Sequence, residues 1–526
     1  MLLIHPPIAK PSEPPAGIAK LSGALHAHGI AHRVLDSNIE GILFLLKQPR
    51  TASDTWTRRA IKNLPENIAE LRNVRTYQSL DHYSRTARDL NRVLAISSKD
   101  NGIILGLADY RHQRLSPIRS ADLIFAAEHP EQNPFYDYFR ERLPEIVQTA
   151  FPLRNCQEQK RPPHDMRYEE KKTAPVIGIS LNYLSQALCA FAMIGFMKRE
   201  FPGLKIALGG GLVSSWMKRP GWKNVFDGLV DHLVAGPGEQ PLLDLLDIDG
   251  TRQECSMPDY SLLPLHDYLS PGLILPYSGS SGCYWHKCSF CPETAEDNPY
   301  VPVPAQQALT HLHSLIRKTK PVLVHLLDNA ISPALMRALA DRPLGVPWYG
   351  FVKIDSELLD LNYCMELKKA GCVMLKIGLE SGDQEVLDMM RKGIDLVTVS
   401  RVFHNLHKAG IATYVYLLFG TPPETIIEAR RTLDYVVKHA HEISFLNLAI
   451  FNMPLSGQMP REIETALFYE GDLSLYTGFT HPRGWNREMV RRFLDKEFKR
   501  HPAISPILKN DPPFFTSNHA TFFTMW

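Results

Sequence analysis

Three of the chain's eight cysteines fall within nine residues, as Cys283, Cys288 and Cys291 in a C-x4-C-x2-C run, with Tyr284, Trp285 and Phe290 between them. Thiolate sulfur suits iron-sulfur clusters and zinc. Three thiolates on a cuboidal four-iron cluster would leave one iron without a protein ligand, and aromatic neighbours would shield such a cluster from water and tune its potential. The alternative is structural zinc, with His286 as a fourth ligand. Spacing alone leaves both open. The remaining cysteines, Cys156, Cys189, Cys255, Cys364 and Cys372, are scattered. They read as small buried hydrophobes in a reducing compartment rather than as a disulfide framework.

The cysteine run must be held by a larger frame, and the sequence around it repeats. Leu367-Lys368-Lys369-Ala370-Gly371 precedes an apolar strand from Val373 to Gly378, and Leu406-His407-Lys408-Ala409-Gly410 precedes another from Thr413 to Phe419. In both, a helix ends on glycine and the chain re-enters a sheet, which is the rhythm of a βα barrel. Val399, Val402, Phe403 and Leu406 share one helical face and read as core. Sites in parallel barrels lie at strand C-termini. Unusual polar residues fall there: Asp328 and Asn329 after Val322–Leu327, Glu380 and Ser381 after Leu375–Leu379, and the turn Gly420–Thr425.

The N-terminal half carries a second α/β pattern. Strand Leu2–Ile4, helix Gly17–His28 and strand His32–Asp36 open it. It resumes at Val176–Ser180, followed by a helix to about Glu200, a strand over Lys205–Leu208, the glycines Gly209, Gly210 and Gly211, the strand His232–Val234 and the turn Gly236-Pro237-Gly238-Glu239. Glycine turns at strand C-termini permit close approach to a ligand in a doubly wound sheet, and they equally serve tight turns for structural reasons. Residues 42–165 read as a mostly helical insertion packed on the sheet, and 247–270, with Pro258 and Pro264, as a linker.

At 526 residues the chain exceeds what one core supports, so several domains are expected. A hydrophobic share of 44% and a charged share of 22% argue for a compact globular protein. A net charge of +2 makes a polyanionic partner the least favoured. No apolar run reaches membrane-spanning length and the opening Met1-Leu2-Leu3-Ile4-His5 lacks a signal-peptide pattern, so the reading is cytoplasmic.

With these elements in order, residues 270–460 resemble the radical S-adenosylmethionine (SAM) superfamily. The resemblance rests on the three cysteines, on Gly378-Leu379-Glu380-Ser381-Gly382 with Met390-Arg391-Lys392-Gly393, and on Phe419-Gly420-Thr421-Pro422-Pro423-Glu424-Thr425. The usual loop of that superfamily is C-x3-C-x2-C, so this chain has one extra residue. The resemblance implies a 4Fe-4S cluster on Cys283, Cys288 and Cys291, SAM bound to its open iron, reductive cleavage to a 5′-deoxyadenosyl radical, and an electron donor such as a flavodoxin or ferredoxin. It also implies contacts from Asp328 and Asn329 to the methionine amino group, from Glu380 and Ser381 to ribose hydroxyls and carboxylate, and from a cation such as Arg391 or Lys392 to a carboxylate. Asn447 is either an adenine contact or a satisfied core residue.

The N-terminal half resembles the cobalamin-binding domain of one branch of the same superfamily, through Ile4-His5-Pro6-Pro7, Val34-Leu35-Asp36-Ser37-Asn38, Leu208-Gly209-Gly210-Gly211 and Gly236-Pro237-Gly238-Glu239. The resemblance implies cofactor contacts at Gly209, Gly210, Gly236 and Gly238. Where domains with a histidine lower ligand carry D-x-H-x-x-G, this chain has Asp36-Ser37-Asn38-Ile39-Glu40-Gly41, and asparagine does not replace imidazole on cobalt. Two outcomes follow: cobalamin bound without a protein ligand, or the fold kept without the cofactor. The expected fold is therefore a Rossmann-like doubly wound domain over 1–246, a linker over 247–270, a partial TIM-like βα barrel over 271–460 and a C-terminal extension over 461–526 that docks on the barrel. The expected activity is SAM cleavage leading to methylation of an unactivated carbon. A cobalamin-free rearrangement or cyclisation is the alternative, and a non-catalytic metal module a third.

Overall fold

The computed structural model describes residues 1–48, 51–52, 54–98, 102–152, 175–248, 255–456, 463–466, 471–513 and 519–524. Two compact units account for them: Met1–Pro65 with Asp89–Asp267 and Gly471–Leu473, and Glu66–Arg88 with Tyr268–Glu470 and Ser474–Trp526.

The first unit is built on a five-stranded sheet of β1 (Leu2–His5), β2 (Arg33–Asp36), β3 (Val176–Ser180), β4 (Lys205–Gly209) and β5 (His232–Leu233), in the order β2-β1-β3-β4-β5. Every pairing is parallel. All four residues of β1 and all five of β3 are buried, as expected of strands covered on both faces. The strand order reverses between β1 and β3, which is where doubly wound sheets open a crevice at their C-terminal edge.

The helices follow local signals. α1 (Ala16–Ala27) stops before Gly29, whose φ is 67°. α2 (Ser37–Lys47) is capped by Asp36, which accepts from the Asn38 and Ile39 amides. α3 (Leu184–Glu200) is buried without interruption from Gln186 to Met197. The interruption between β2 and β3 is mainly helical, and its Ser120–Glu128 helix lies so close to α3 that a Cβ on Gly195 would sit 1.8 Å from the Ala127 carbonyl oxygen. A short hairpin, Ile103–Leu105 with Tyr110–His112, also occurs there, which the helical expectation did not include.

The second unit holds six parallel strands laid down in chain order: β6 (Ile274–Tyr277), β7 (Leu323–Leu326), β8 (Trp348–Val352), β9 (Cys372–Glu380), β10 (Ala412–Phe419) and β11 (Phe445–Ile450). Helices α4 (Ala305–Thr319), α5 (Pro333–Asp341), α6 (Leu361–Lys369), α7 (Leu396–Ala409) and α8 (Ile426–Lys438) connect them, giving a partial βα barrel. Ser332, Asp395 and Thr425 cap α5, α7 and α8 with their side chains. Gly371 and Gly410, with φ of 96° and 73°, end the two repeated helices. Val399, Val402, Phe403 and Leu406 are fully buried.

Residues 519–524 close the N-terminal end of these strands. Ala520 joins one buried cluster with Ile274, Leu323, Tyr349, Met374, Tyr414 and Phe445, and Phe523 packs against it. His519 is buried and tilts onto the Tyr414 and Phe445 rings at 4.3 and 4.5 Å. The expected docking of the tail holds for these residues, while 514–518 and 525–526 lie outside the described ones.

Cys189, Cys364 and Cys372 are buried, as expected of small core residues. Cys255 is exposed, contrary to that expectation, and among the described residues 255–270 no helix or strand forms. Cys156 lies outside the described residues. Among the described residues no helix is long and apolar enough to cross a membrane.

Candidate functional site

The three cysteines lie on the loop after β6. Cys283, Cys288 and Cys291 are all half-buried. Burial pushes the Cys288 thiol up to about 11, against the pull of the Lys392 ammonium, and burial also raises Cys291. Bound iron would reverse that preference, since a metal ligates the thiolate. Among the described residues no three His, Cys, Asp or Glu side chains converge on a point where one ion would sit. His286 Nε2 is turned to the Glu293 carbonyl at 3.2 Å. That contact turns His286 to a backbone carbonyl and disfavours it as a fourth zinc ligand. A cuboidal cluster asks for more widely spread sulfurs.

The loop is clamped to the turn after β9. The Trp285 indole donates to the Arg391 carbonyl at 3.2 Å, and the Ser289 amide donates to the Met390 carbonyl at 3.0 Å. Lys353 Nζ lies 4.0 Å from the Trp285 ring centroid and donates to the Gly393 carbonyl at 2.8 Å, while Lys287 approaches the same ring at 4.7 Å. Gly393 has φ of 66°, and a Cβ there would meet Trp285 at 2.1 Å. Glycine is required on both counts.

Six described non-glycine residues have positive φ. Three of them, His286 (45°), Glu380 (67°) and Arg391 (54°), belong to this loop and the turn clamped to it, which is where strained backbone marks a functional site. Glu380, at the end of β9, accepts from Lys392 Nζ at 2.8 Å, and both side chains are largely buried. A Cβ on Gly378 would strike this pair, 2.7 Å from Lys392 Nζ, so the ion pair lies across a strand position that has no side chain.

The other expected contacts divide. Asp328 is buried and accepts from the Ser280 hydroxyl at 2.5 Å and the Gly279 amide at 3.0 Å, so it braces the approach to the cysteine loop. Asn329 is exposed and donates to the Gly282 carbonyl at 3.2 Å. The Ser381 hydroxyl is buried against Thr432 Oγ1 and the Asp383 amide. Arg391 points to solvent, and the cation that meets Glu380 is Lys392. Asn447 donates to the Tyr414 hydroxyl at 3.4 Å.

After β10, Gly420 opens a turn (φ 78°) whose amide donates to Glu424. Trp485 Nε1 donates to the same oxygen at 2.9 Å, and Glu424 Oε1 has no partner among the described residues. Burial pushes the Glu424 carboxyl up to about 8. Beside it lies a cavity of about 220 Å³ lined by Phe451, Asn452, Phe479, His481 and Arg487.

The C-terminal edge of the first sheet is built differently. Gly210 has φ of 108°, and a Cβ there would lie 2.4 Å from the Leu181 carbonyl oxygen. The Gly211 amide donates to Asn182 Oδ1 at 3.0 Å, and the exposed Gly236 amide donates to Ser214 Oγ at 2.8 Å. Gly209 and Gly238 are half-exposed, and no atom crowds Gly236. Asn38 is buried and holds Ala9 twice, accepting its amide at 2.9 Å and donating to its carbonyl at 3.0 Å.

Residues 277–436 match the family model of the Radical SAM superfamily. This segment is a radical SAM domain. It spans β6 to α8 and contains the cysteine loop, the Glu380–Lys392 pair and the Gly420 turn. Among curated proteins the chain is 31% identical over 107 residues to bacteriochlorophyllide d C-12(1)-methyltransferase of Chlorobaculum tepidum, covering 20% of this chain and 23% of that one. It is 25% identical over 222 residues to the anaerobic magnesium-protoporphyrin IX monomethyl ester cyclase of Rubrivivax gelatinosus, covering 40% and 37%. The matches thus span well under half the length of either relative. Among solved structures, the radical SAM methyltransferase TsrM of Kitasatospora setae, with cobalamin and a [4Fe-4S] cluster bound, aligns over 89% of this chain and 81% of that one at 14% identity and a TM-score of 0.50. The likeness is one of fold: a Rossmann-like domain followed by a partial barrel.

Several residues of this region escaped the sequence reading. Lys353 and the Trp285 clamp were not singled out, nor was Lys376 with His325 inside the barrel strands. The signal for the last pair was a charge within an otherwise apolar strand.

Proposed function

We propose that this chain is a radical SAM enzyme that cleaves SAM reductively at a 4Fe-4S cluster held by Cys283, Cys288 and Cys291, and that its N-terminal domain holds cobalamin for methyl transfer to an unactivated carbon. The observation that carries this reading is the three-thiol loop clamped to the Glu380–Lys392 turn inside a radical SAM domain. A bound cluster would supply the electron that breaks the sulfonium bond. The chain's own residues would do the rest: Lys392 offers an ammonium to a carboxylate, Glu380 accepts from ribose hydroxyls or an ammonium, and Tyr284, Trp285 and Phe290 keep water from the loop. Asp328 and Asn329 would act through the loop's approach, and Ser381 through the turn that bears Glu380.

For cobalamin, the glycine turns at Gly209, Gly210, Gly236 and Gly238, of which Gly236 is uncrowded, would offer backbone to a large ligand, whereas Asn38 is spent on Ala9 and offers cobalt nothing. The fit is therefore to cobalamin without a lower protein ligand. The same locked Asn38 supports a second reading, a cobalamin-free rearrangement or cyclisation. We place the protein in the cytoplasm with a flavodoxin- or ferredoxin-like donor, a 1–246 domain, a 247–270 linker, a 271–460 barrel and a 461–526 extension.

The test is a substrate-free assay of anaerobically reconstituted protein. Wild type should release 5′-deoxyadenosine and Cys288→Ala should fall to background; equal product from both would defeat the cluster assignment. Bound cobalamin with S-adenosylhomocysteine as coproduct separates methylation from the second reading.

A further inference from the structure

Alternate residues of a strand share a face, and parallel neighbours in register present theirs to the same side. On β9 that face reads Met374, Lys376, Gly378, Glu380. Met374 belongs to the buried cluster at the base, closed by Ala520. Glu380 meets Lys392 above Gly378. Lys376 stands between, four residues below Glu380, a span of roughly 13 Å along the strand.

Lys376 is 4% exposed and His325 on β7 is 6% exposed. Lys376 Nζ lies 3.1 Å from His325 Nε2 and faces the Tyr349 and Phe351 rings at 4.9 and 5.2 Å from their centroids. His325 stacks flat on Tyr349, with ring centroids 4.3 Å apart and planes 6° apart, which fixes its imidazole. When Lys376 is protonated it donates across this contact and His325 Nε2 accepts. Register places Tyr414 beside Lys376 and Tyr416 beside Gly378, with Asn447 next in the same row. A hydrophobic barrel filling does not need this amine, imidazole, two phenols and amide on one face directly below the Glu380–Lys392 turn.

We infer that this polar layer is the floor of the substrate site and that it selects a carboxylate-bearing molecule with an apolar or aromatic body. Lys376 anchors the carboxylate through a charge-assisted hydrogen bond, His325 holds Lys376 in place, and the Tyr349, Phe351 and Tyr416 rings line the rest. The inference rests on the radical SAM reading for what happens to that substrate, but not for its binding.

The test uses reconstituted protein saturated with S-adenosylhomocysteine, so that the upper cations are occupied, and compares 3-phenylpropionate with its neutral amide, 3-phenylpropionamide, by titration calorimetry. Wild type should bind the acid about tenfold more tightly than the amide. Lys376→Met should bring that ratio to about one, and Lys376→Arg should keep part of it. Equal affinities in wild type, no binding of either probe, or a preference that survives in Lys376→Met would each overturn the inference. Should Lys376→Met not melt cooperatively, Lys376→Gln takes its place, and the acid–amide comparison in wild type decides without any variant. Loss of 5′-deoxyadenosine formation with an intact acid preference would sink the reaction reading alone.

Discussion

Where the strands of the N-terminal sheet end, three neutral side chains are spent on the backbone: Asn38 on Ala9, Asn182 on Gly211, Ser214 on Gly236. At the same end of the barrel strands the groups carry charge and meet one another or ring faces, as Glu380 with Lys392 and Lys353 with Trp285. The first edge is shaped by glycine backbone, and the second is set with paired charges. Two sheets with the same parallel logic thus finish their edges differently.

The sharpest way to test this contrast is through pH, because the barrel edge should titrate. Glu424, raised to about 8 by burial against an unfolded value near 4.5, binds its proton more tightly when folded. Its stabilisation is therefore complete below the unfolded value, declines as pH rises from there, and is lost once pH passes about 8. The loss should be on the order of 4 kcal/mol, read as falling hydrogen-exchange protection across residues 420–433. Glu424→Gln should flatten that dependence, and identical profiles for the two proteins would break the contrast.

A smaller effect is expected at the ion pair. Glu380→Ala leaves the Lys392 ammonium without its carboxylate and should destabilise the barrel by about 3 kcal/mol in chemical denaturation. Adding Lys392→Met should recover much of it, and a double variant as unstable as Glu380→Ala would show that the pair's charge is not what matters. At the neutral edge, Asn38→Ala should cost about 2 kcal/mol through two orphaned groups on Ala9, seen as faster exchange of the Ala9 amide. Unchanged exchange there would mean the glycine edge holds its shape without that clamp.

Much of the frame could be read from residue order. Continuous apolar runs such as Val176–Ser180 and Thr413–Phe419 announced buried parallel strands, and glycines ending helices announced the barrel rhythm. The three cysteines, Glu380 and a cation near it were legible as chemistry; which cation was not, because the left-handed turn at Arg391 sends Lys392 inward and Arg391 to solvent. Lys376 and His325 were illegible for a related reason. They are 51 residues apart, each flanked by apolar residues in its strand, and only the register across β7, β8 and β9 brings them together. The exposure of Cys255 shows the converse limit, since residue type alone does not say whether an element will arrive to cover it.

The closure of the barrel base by residues 519–523 has a kinetic consequence. Ala520 seals a cluster whose first member, Ile274, precedes it by almost half the chain, so the base is completed by contacts of long sequence separation. Contacts of such separation form late in folding. Until that segment docks, Leu323, Tyr349, Met374, Tyr414 and Phe445 face water together, a sticky disc that invites self-association while the barrel is still incomplete.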